Sequence, residues 1–179
     1  GVDAFLIVVP YYNKPTQEGQ YQYFKAVAES TDKPIVLYNV PGRTGANMTA
    51  ETCLRLAQIP NIVAVKEASG NISAIAELFA ECGDSFDIYS GNDDQIVPIL
   101  SLGGAGVISV LSNIMPKETK KICTDYFEGK TAESLALQLR LLPLIDALFC
   151  EVNPIPVKAA LSAMGYGANA LRLPLTPME

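Results

Sequence analysis

Five short runs of the chain are almost uniformly apolar: Ala4–Val9, Pro34–Tyr38, Ile62–Val65, Phe86–Tyr89 and Gly106–Val110. Runs of this length, several rich in Val and Ile, predict strands buried on both faces of a parallel sheet. The segments between them carry helical spacing and predict helices over Gln17–Ser30, Thr49–Gln58, Ile72–Cys82 and Asp94–Leu102. In the first of these, Tyr21, Phe24, Val27 and Ala28 share one face, while Glu18, Gln22, Lys25 and Glu29 lie elsewhere. Thr49 and Asn71 stand where side-chain oxygens cap helix starts, and Gly83 follows a helix end. Beyond the fifth run the pattern is helical throughout: Pro116–Phe127, Thr131–Phe149 and Pro156–Met164.

Repeated βα units permit a doubly wound sheet or a (β/α)8 TIM barrel. Two features favour the barrel. The first predicted strand is not followed by GxGxxG, and polar residues collect where each strand ends, as in Tyr11-Tyr12-Asn13, Tyr38-Asn39, Lys66-Glu67 and Ser90-Gly91-Asn92. A whole barrel needs eight units and typically about 250 residues. The expectation is therefore a partial TIM barrel of five βα units over residues 1–112, followed by a helical region over 113–179. The opening apolar run, with no basic leader and a stop at Pro10, reads as a buried strand within a longer protein rather than a signal peptide or membrane span.

Composition narrows the chemistry. The 179 residues include no His, so acid–base work falls to Lys, Tyr, Asp, Glu or Cys, and no imidazole is present to bind a metal. With 13 basic against 19 acidic residues and no basic run longer than Lys120-Lys121, the chain lacks the electrostatic footprint of a nucleic-acid binder. Cys53, Cys82, Cys123 and Cys150 are widely spaced and form no CxxC, which fits buried thiols of a reducing cytoplasm.

Lys66 ends an apolar strand at the mouth of the expected barrel. Partial desolvation there depresses an ammonium pKa and frees the amine that attacks carbonyls; the alternative is a solvated rim charge beside Glu67. Tyr38 ends the preceding strand and is either a proton shuttle beside that lysine or an amphipathic rim residue. Arg43, in the glycine-bracketed loop Pro41–Gly45, is either a carboxylate fork or a surface arginine. Gly103, Gly104 and Gly106 precede a strand and read as packing turns rather than a phosphate cradle. Asp93-Asp94 reads as a helix N-cap rather than a metal site.

Four segments in this order, Tyr11-Tyr12-Asn13-Lys14-Pro15, Tyr38-Asn39-Val40-Pro41-Gly42-Arg43-Thr44-Gly45, Val65-Lys66-Glu67-Ala68-Ser69-Gly70 and Asn153-Pro154-Ile155-Pro156-Val157-Lys158, resemble the dihydrodipicolinate synthase (4-hydroxy-tetrahydrodipicolinate synthase) family. The resemblance covers essentially the whole chain and would make it strands 4 to 8 of the barrel, without the first three units and the last helix. It implies a lyase of lysine (diaminopimelate) biosynthesis in the cytoplasm that condenses pyruvate with L-aspartate 4-semialdehyde, with neither metal nor organic cofactor. Lys66 then matches the Schiff-base lysine, Tyr38 the relay tyrosine, and Tyr12 a tyrosine donated into a neighbouring subunit's site. Arg43 matches the ligand of the semialdehyde carboxylate, Gly91 and Ile108 line the pyruvate end, and Tyr11 borders a lysine effector site. The implied assembly is a homo-oligomer, a dimer of tight dimers. The absent units carry a relay threonine, so the chain alone is expected to turn over little. Competing readings are an N-acetylneuraminate or 2-keto-3-deoxy-sugar-acid lyase, against which Arg43 argues, and a non-catalytic half-barrel.

Overall fold

A computed structural model describes all 179 residues and divides them into two compact units, Gly1–Ile108 and Ser109–Glu179. The first holds five strands: β1 (Phe5–Val8), β2 (Ile35–Asn39), β3 (Ile62–Glu67), β4 (Asp87–Ser90) and β5 (Gly106–Val107). All neighbouring pairs are parallel and the spatial order is β1-β2-β3-β4-β5. A doubly wound sheet reverses its strand order at a switch point; a barrel does not. The sequential order is that of an arc of barrel.

Helices α1 (Gln17–Glu29), α2 (Pro41–Thr44), α3 (Ala50–Leu56), α4 (Ile72–Cys82) and α5 (Ile96–Ser101) connect the strands. The caps at Thr49 and Asn71 form as the sequence suggests, accepting from the backbone N–H of Thr52 and Ala74. Phe24, Ile35, Leu37, Leu56, Val65 and Ile88 are buried in the core that these helices make with one face of the sheet. Burial of such side chains contributes about 1.5–3 kcal/mol each.

Several expectations are corrected. Arg43 stands not in a loop but in the helical turn α2, which opens on Pro41 and closes on Gly45 at φ 70°. On α1, Tyr21 and Val27 are only half-buried, and Gln20 joins Phe24 and Ala28 inside because its amide reaches the carbonyl of Asn47 at 3.3 Å. The last strand stops at Val107, three residues early. Its ladder runs only to β4, and the next residues enter a turn in which Ser112 N–H donates to Ser109 Oγ at 2.8 Å. Asp93 and Asp94 are not the N-cap of a helix: they lie inside a 3-10 turn (Asp93–Gln95) that precedes α5 and has Asn92 at its cap position, with Asp93 1% exposed.

The second unit comprises a 3-10 turn (Leu111–Asn113), α6 (Pro116–Phe127), α7 (Thr131–Leu148) and α8 (Ile155–Ala163). Ser134 Oγ, fully buried on α7, donates to the Ile122 carbonyl of α6 at 2.7 Å and links the two helices. No helix is long and apolar enough to cross a membrane.

Candidate active site

Strand alternation sorts the residues at the ends of β2, β3 and β4 onto two faces. In register, Tyr38 pairs with Lys66 and Lys66 with Tyr89, while Asn39 pairs with Glu67 and Glu67 with Ser90. Tyr38, Lys66 and Tyr89 are half-buried, whereas Asn39, Glu67 and Ser90 are buried with Leu37, Val65 and Ile88 toward the helices. The lysine and the tyrosines thus share the face opposite the hydrophobic core.

Lys66 Nζ lies 4.3 Å from the centroid of the Tyr38 ring. A cation at that distance is attracted by the ring quadrupole. Burial lowers the Lys66 ammonium below the ordinary lysine range; the Asp93 carboxylate opposes this and the Arg43 guanidinium adds to it. Burial raises the Tyr38 phenol, which Arg43 partly offsets. A half-buried amine with a depressed pKa and a protonated phenol beside it are the two components needed to attack a carbonyl and to deliver protons to the product.

Gly91 makes room for this lysine. Its N–H donates to the Glu67 carbonyl at 2.7 Å, carrying the end of β4 past the lysine stem. A Cβ at Gly91 would stand 2.6 Å from Ala68 Cβ and 3.1 Å from both Lys66 Cε and the Glu67 carbonyl oxygen. Ile108 N–H donates to the Ser90 carbonyl at 2.9 Å, so Ile108 adjoins the same strand end. Arg43 is exposed on α2, immediately beyond β2, and acts electrostatically on both Lys66 and Tyr38.

Tyr11 and Tyr12 are not drawn into this cluster; they are 67% and 88% exposed on the segment after β1. Tyr12 and Lys14 there have φ of 65° and 47°, a conformation that costs a residue with a Cβ about 1–3 kcal/mol. The segment is tied to α2, because the Lys14 stem lies over Gly45, where a Cβ would come within 3.0 Å of Lys14 Cε.

Sequence reasoning passed over Asn39 and Glu67 as site residues. Asn39 Nδ2 donates to Glu67 Oε2 at 2.8 Å and to Asn47 Oδ1 at 3.0 Å, and Asn39 Oδ1 accepts from Met48 N–H at 3.0 Å. Glu67 Oε1 accepts from Ser69 N–H at 2.6 Å. The signal was present in the pattern: polar residues stand at positions that period-two alternation assigns to the core face. A cavity of about 370 Å³ opens beside Asn39, Glu67 and Ser69 on that helix-covered side, the face of the sheet opposite Lys66. No group of three or more Cys, Asp or Glu side chains is placed to hold a metal ion.

The sequence matches the dihydrodipicolinate synthetase family over residues 1–179. The 4-hydroxy-tetrahydrodipicolinate synthase of Clostridium novyi is 56% identical over 179 residues, covering all of this chain and 60% of that protein. That of Lachnoclostridium phytofermentans is 57% identical over 180 residues, covering all of this chain and 61% of the relative. The crystal structure of dihydrodipicolinate synthase from Thermotoga maritima superposes with a TM-score of 0.97 at 49% identity, over all of this chain and 62% of that one. The chain therefore spans about three-fifths of the length of these relatives, and its five-stranded parallel sheet corresponds to part of their TIM barrel.

Proposed function

The chain belongs to the dihydrodipicolinate synthetase family, and on that premise we propose that Lys66 is the amine that forms a Schiff base with pyruvate. The whole protein would be a lyase that condenses pyruvate with L-aspartate 4-semialdehyde to 4-hydroxy-tetrahydrodipicolinate and water. It would serve lysine (diaminopimelate) biosynthesis in the cytoplasm. The names of the relatives support the reaction. The observation that carries the assignment is the half-buried Lys66 amine 4.3 Å from the Tyr38 ring centroid.

In this reading the neutral Lys66 amine attacks the keto carbon of pyruvate, and the carbinolamine loses water to give an imine. Loss of a methyl proton yields the enamine, whose carbon attacks the aldehyde of the second substrate. The semialdehyde's own amine then adds to the imine carbon and displaces Lys66, which closes the ring and frees the enzyme. The Tyr38 hydroxyl carries protons to and from the carbinolamine and the new alkoxide. Arg43, placed beyond β2, holds the semialdehyde carboxylate. Gly91 and Ile108 bound the pyruvate end.

Tyr12 acts on a second copy of the protein, in a homo-oligomer built as a dimer of tight dimers, and Tyr11 borders an effector site for lysine. Their exposure on a segment tied to α2 is compatible with contact to another subunit. Borohydride reduction in the presence of pyruvate tests the central assignment. Intact-mass spectrometry should find one pyruvate-sized adduct, located on Lys66 and lost in Lys66→Ala; an adduct that persists in the variant would place the amine elsewhere.

A further inference from the structure

The two residues that immediately follow the reactive pair are buried, polar and bonded to each other. Asn39 and Glu67 are 2% and 4% exposed. Their side chains make four hydrogen bonds, joining the end of β2 to the end of β3, to Asn47 and Met48 after the Arg43 turn, and to Ser69. Both Asn39 amide hydrogens and its carbonyl oxygen are used. Among these partners Glu67 receives only neutral donors, one amide and one backbone N–H. Burying a carboxylate on neutral partners costs several kcal/mol before its hydrogen bonds are counted. The backbone ladder already pairs β2 with β3: Ala68 N–H reaches the Asn39 carbonyl at 2.9 Å. Spacing therefore does not need the carboxylate. What it adds is direction, since an amide–carboxylate bond of 2.8 Å fixes how the two strand ends are rotated against each other.

We propose that Asn39 and Glu67 are a positioning pair: by locking the ends of β2 and β3 from the core side, they aim Tyr38 at Lys66 on the opposite face and hold the Arg43 turn in place. The two pairs are successive rungs of one register, Tyr38 with Lys66 and Asn39 with Glu67. A rotation at one rung moves the other, so loosening the buried pair pulls the phenol off the amine. The consequence for reaction rests on Lys66 being the pyruvate-binding amine, as proposed above.

The test is an exchange of polarity. In Glu67→Gln an amide faces the Asn39 amide, and in Asn39→Asp two carboxylates face each other; the double variant Asn39→Asp/Glu67→Gln restores one amide–carboxylate bond with donor and acceptor reversed. For each protein, first confirmed as folded by circular dichroism, two quantities are read. One is the rate of borohydride-trapped pyruvate addition to Lys66. The other is the pH midpoint for acetylation of Lys66 by acetic anhydride, followed by peptide mass spectrometry. Each single variant should slow trapping by roughly 10- to 100-fold and move the midpoint toward that of an ordinary lysine, and the double variant should return both toward the starting values. Folded single variants with unchanged rate and midpoint, or a double variant no better than the singles, would overturn the proposal. If the starting protein traps no pyruvate, the Schiff-base reading of Lys66 fails, and the acetylation midpoints still decide whether this pair positions the amine.

Discussion

Two pairs of residues, one position apart on the same two strands, divide the work at the end of the sheet. Tyr38 and Lys66 face away from the core, are half-buried, and meet through a ring and an ammonium 4.3 Å apart. Asn39 and Glu67 face the helices, are buried, and meet through a directed hydrogen bond of 2.8 Å. On the first face burial disfavours the lysine's charge, and the Asp93 carboxylate only partly offsets this. On the second, the polar atoms have partners in the fold. A strand with a period of two can place a reactive group and its support side by side in sequence while keeping them on opposite sides of the sheet.

If this division holds, variants on the two faces should fail differently. The largest effect is expected from Tyr38→Phe. Removing the hydroxyl while keeping the ring should leave the urea midpoint nearly unchanged and slow proton-dependent steps roughly 10²- to 10⁴-fold, measured as the rate of imine trapping. A Phe variant that traps pyruvate at the original rate would remove the phenol from the chemistry. Glu67→Ala should behave in the opposite way. It strands the Asn39 amide and the Ser69 N–H inside the protein, and loss of buried partners of this kind costs about 2–4 kcal/mol. Urea denaturation would read the loss, and an unchanged midpoint would show that the buried pair contributes no net stability.

The smallest effect is one of pH. Burial lowers the folded-state pKa of Lys66, so between that value and the ordinary lysine value near 10.4 the unfolded chain binds more protons than the folded one. The penalty from Lys66 is fully present below the folded pKa and is relieved as pH rises through the window, so this residue makes stability increase with pH there. Buried thiols act in the opposite sense: that of Cys82 is pushed up to about 11 by burial, so its unfolded form loses its proton first. The quantity to read is therefore the stability of the original protein minus that of Lys66→Met. Below pH 10, where the raised Tyr38 phenol keeps its proton, the advantage of the Met variant should shrink as pH increases. A difference independent of pH would mean that Lys66 is not desolvated.

The sheet was legible in sequence because its strands are continuous apolar runs such as Ile62–Val65, even on the face that helices leave uncovered, where Val63 is 40% exposed. Lys66 and Tyr38 were legible for the same reason, since a charge and a phenol ending such runs conflict with their surroundings. The far end of β5 was not legible: Ile108 and Val110 are β-prone, and only the end of the ladder, whose last bond is Ile108 N–H to the Ser90 carbonyl, shows that the chain leaves the sheet there. Asn39 and Glu67 were passed over because polar residues at strand ends look like rim positions until the register assigns them to the core face. Asp93 beside Asp94 has the composition of a helix cap, and its burial near Lys66 depends on a 3-10 turn that pattern alone does not distinguish from the first turn of a helix. The exposure of Tyr11 and Tyr12 follows from backbone at positive φ between Pro10 and Pro15, which hydropathy does not report.

Pyruvate and borohydride, followed by intact-mass and peptide mapping of the original protein and of Lys66→Ala, address the central claim most directly. The account predicts a single pyruvate-sized adduct on Lys66 that disappears in the variant. Folded protein that traps nothing, or an adduct that survives Lys66→Ala, would contradict it.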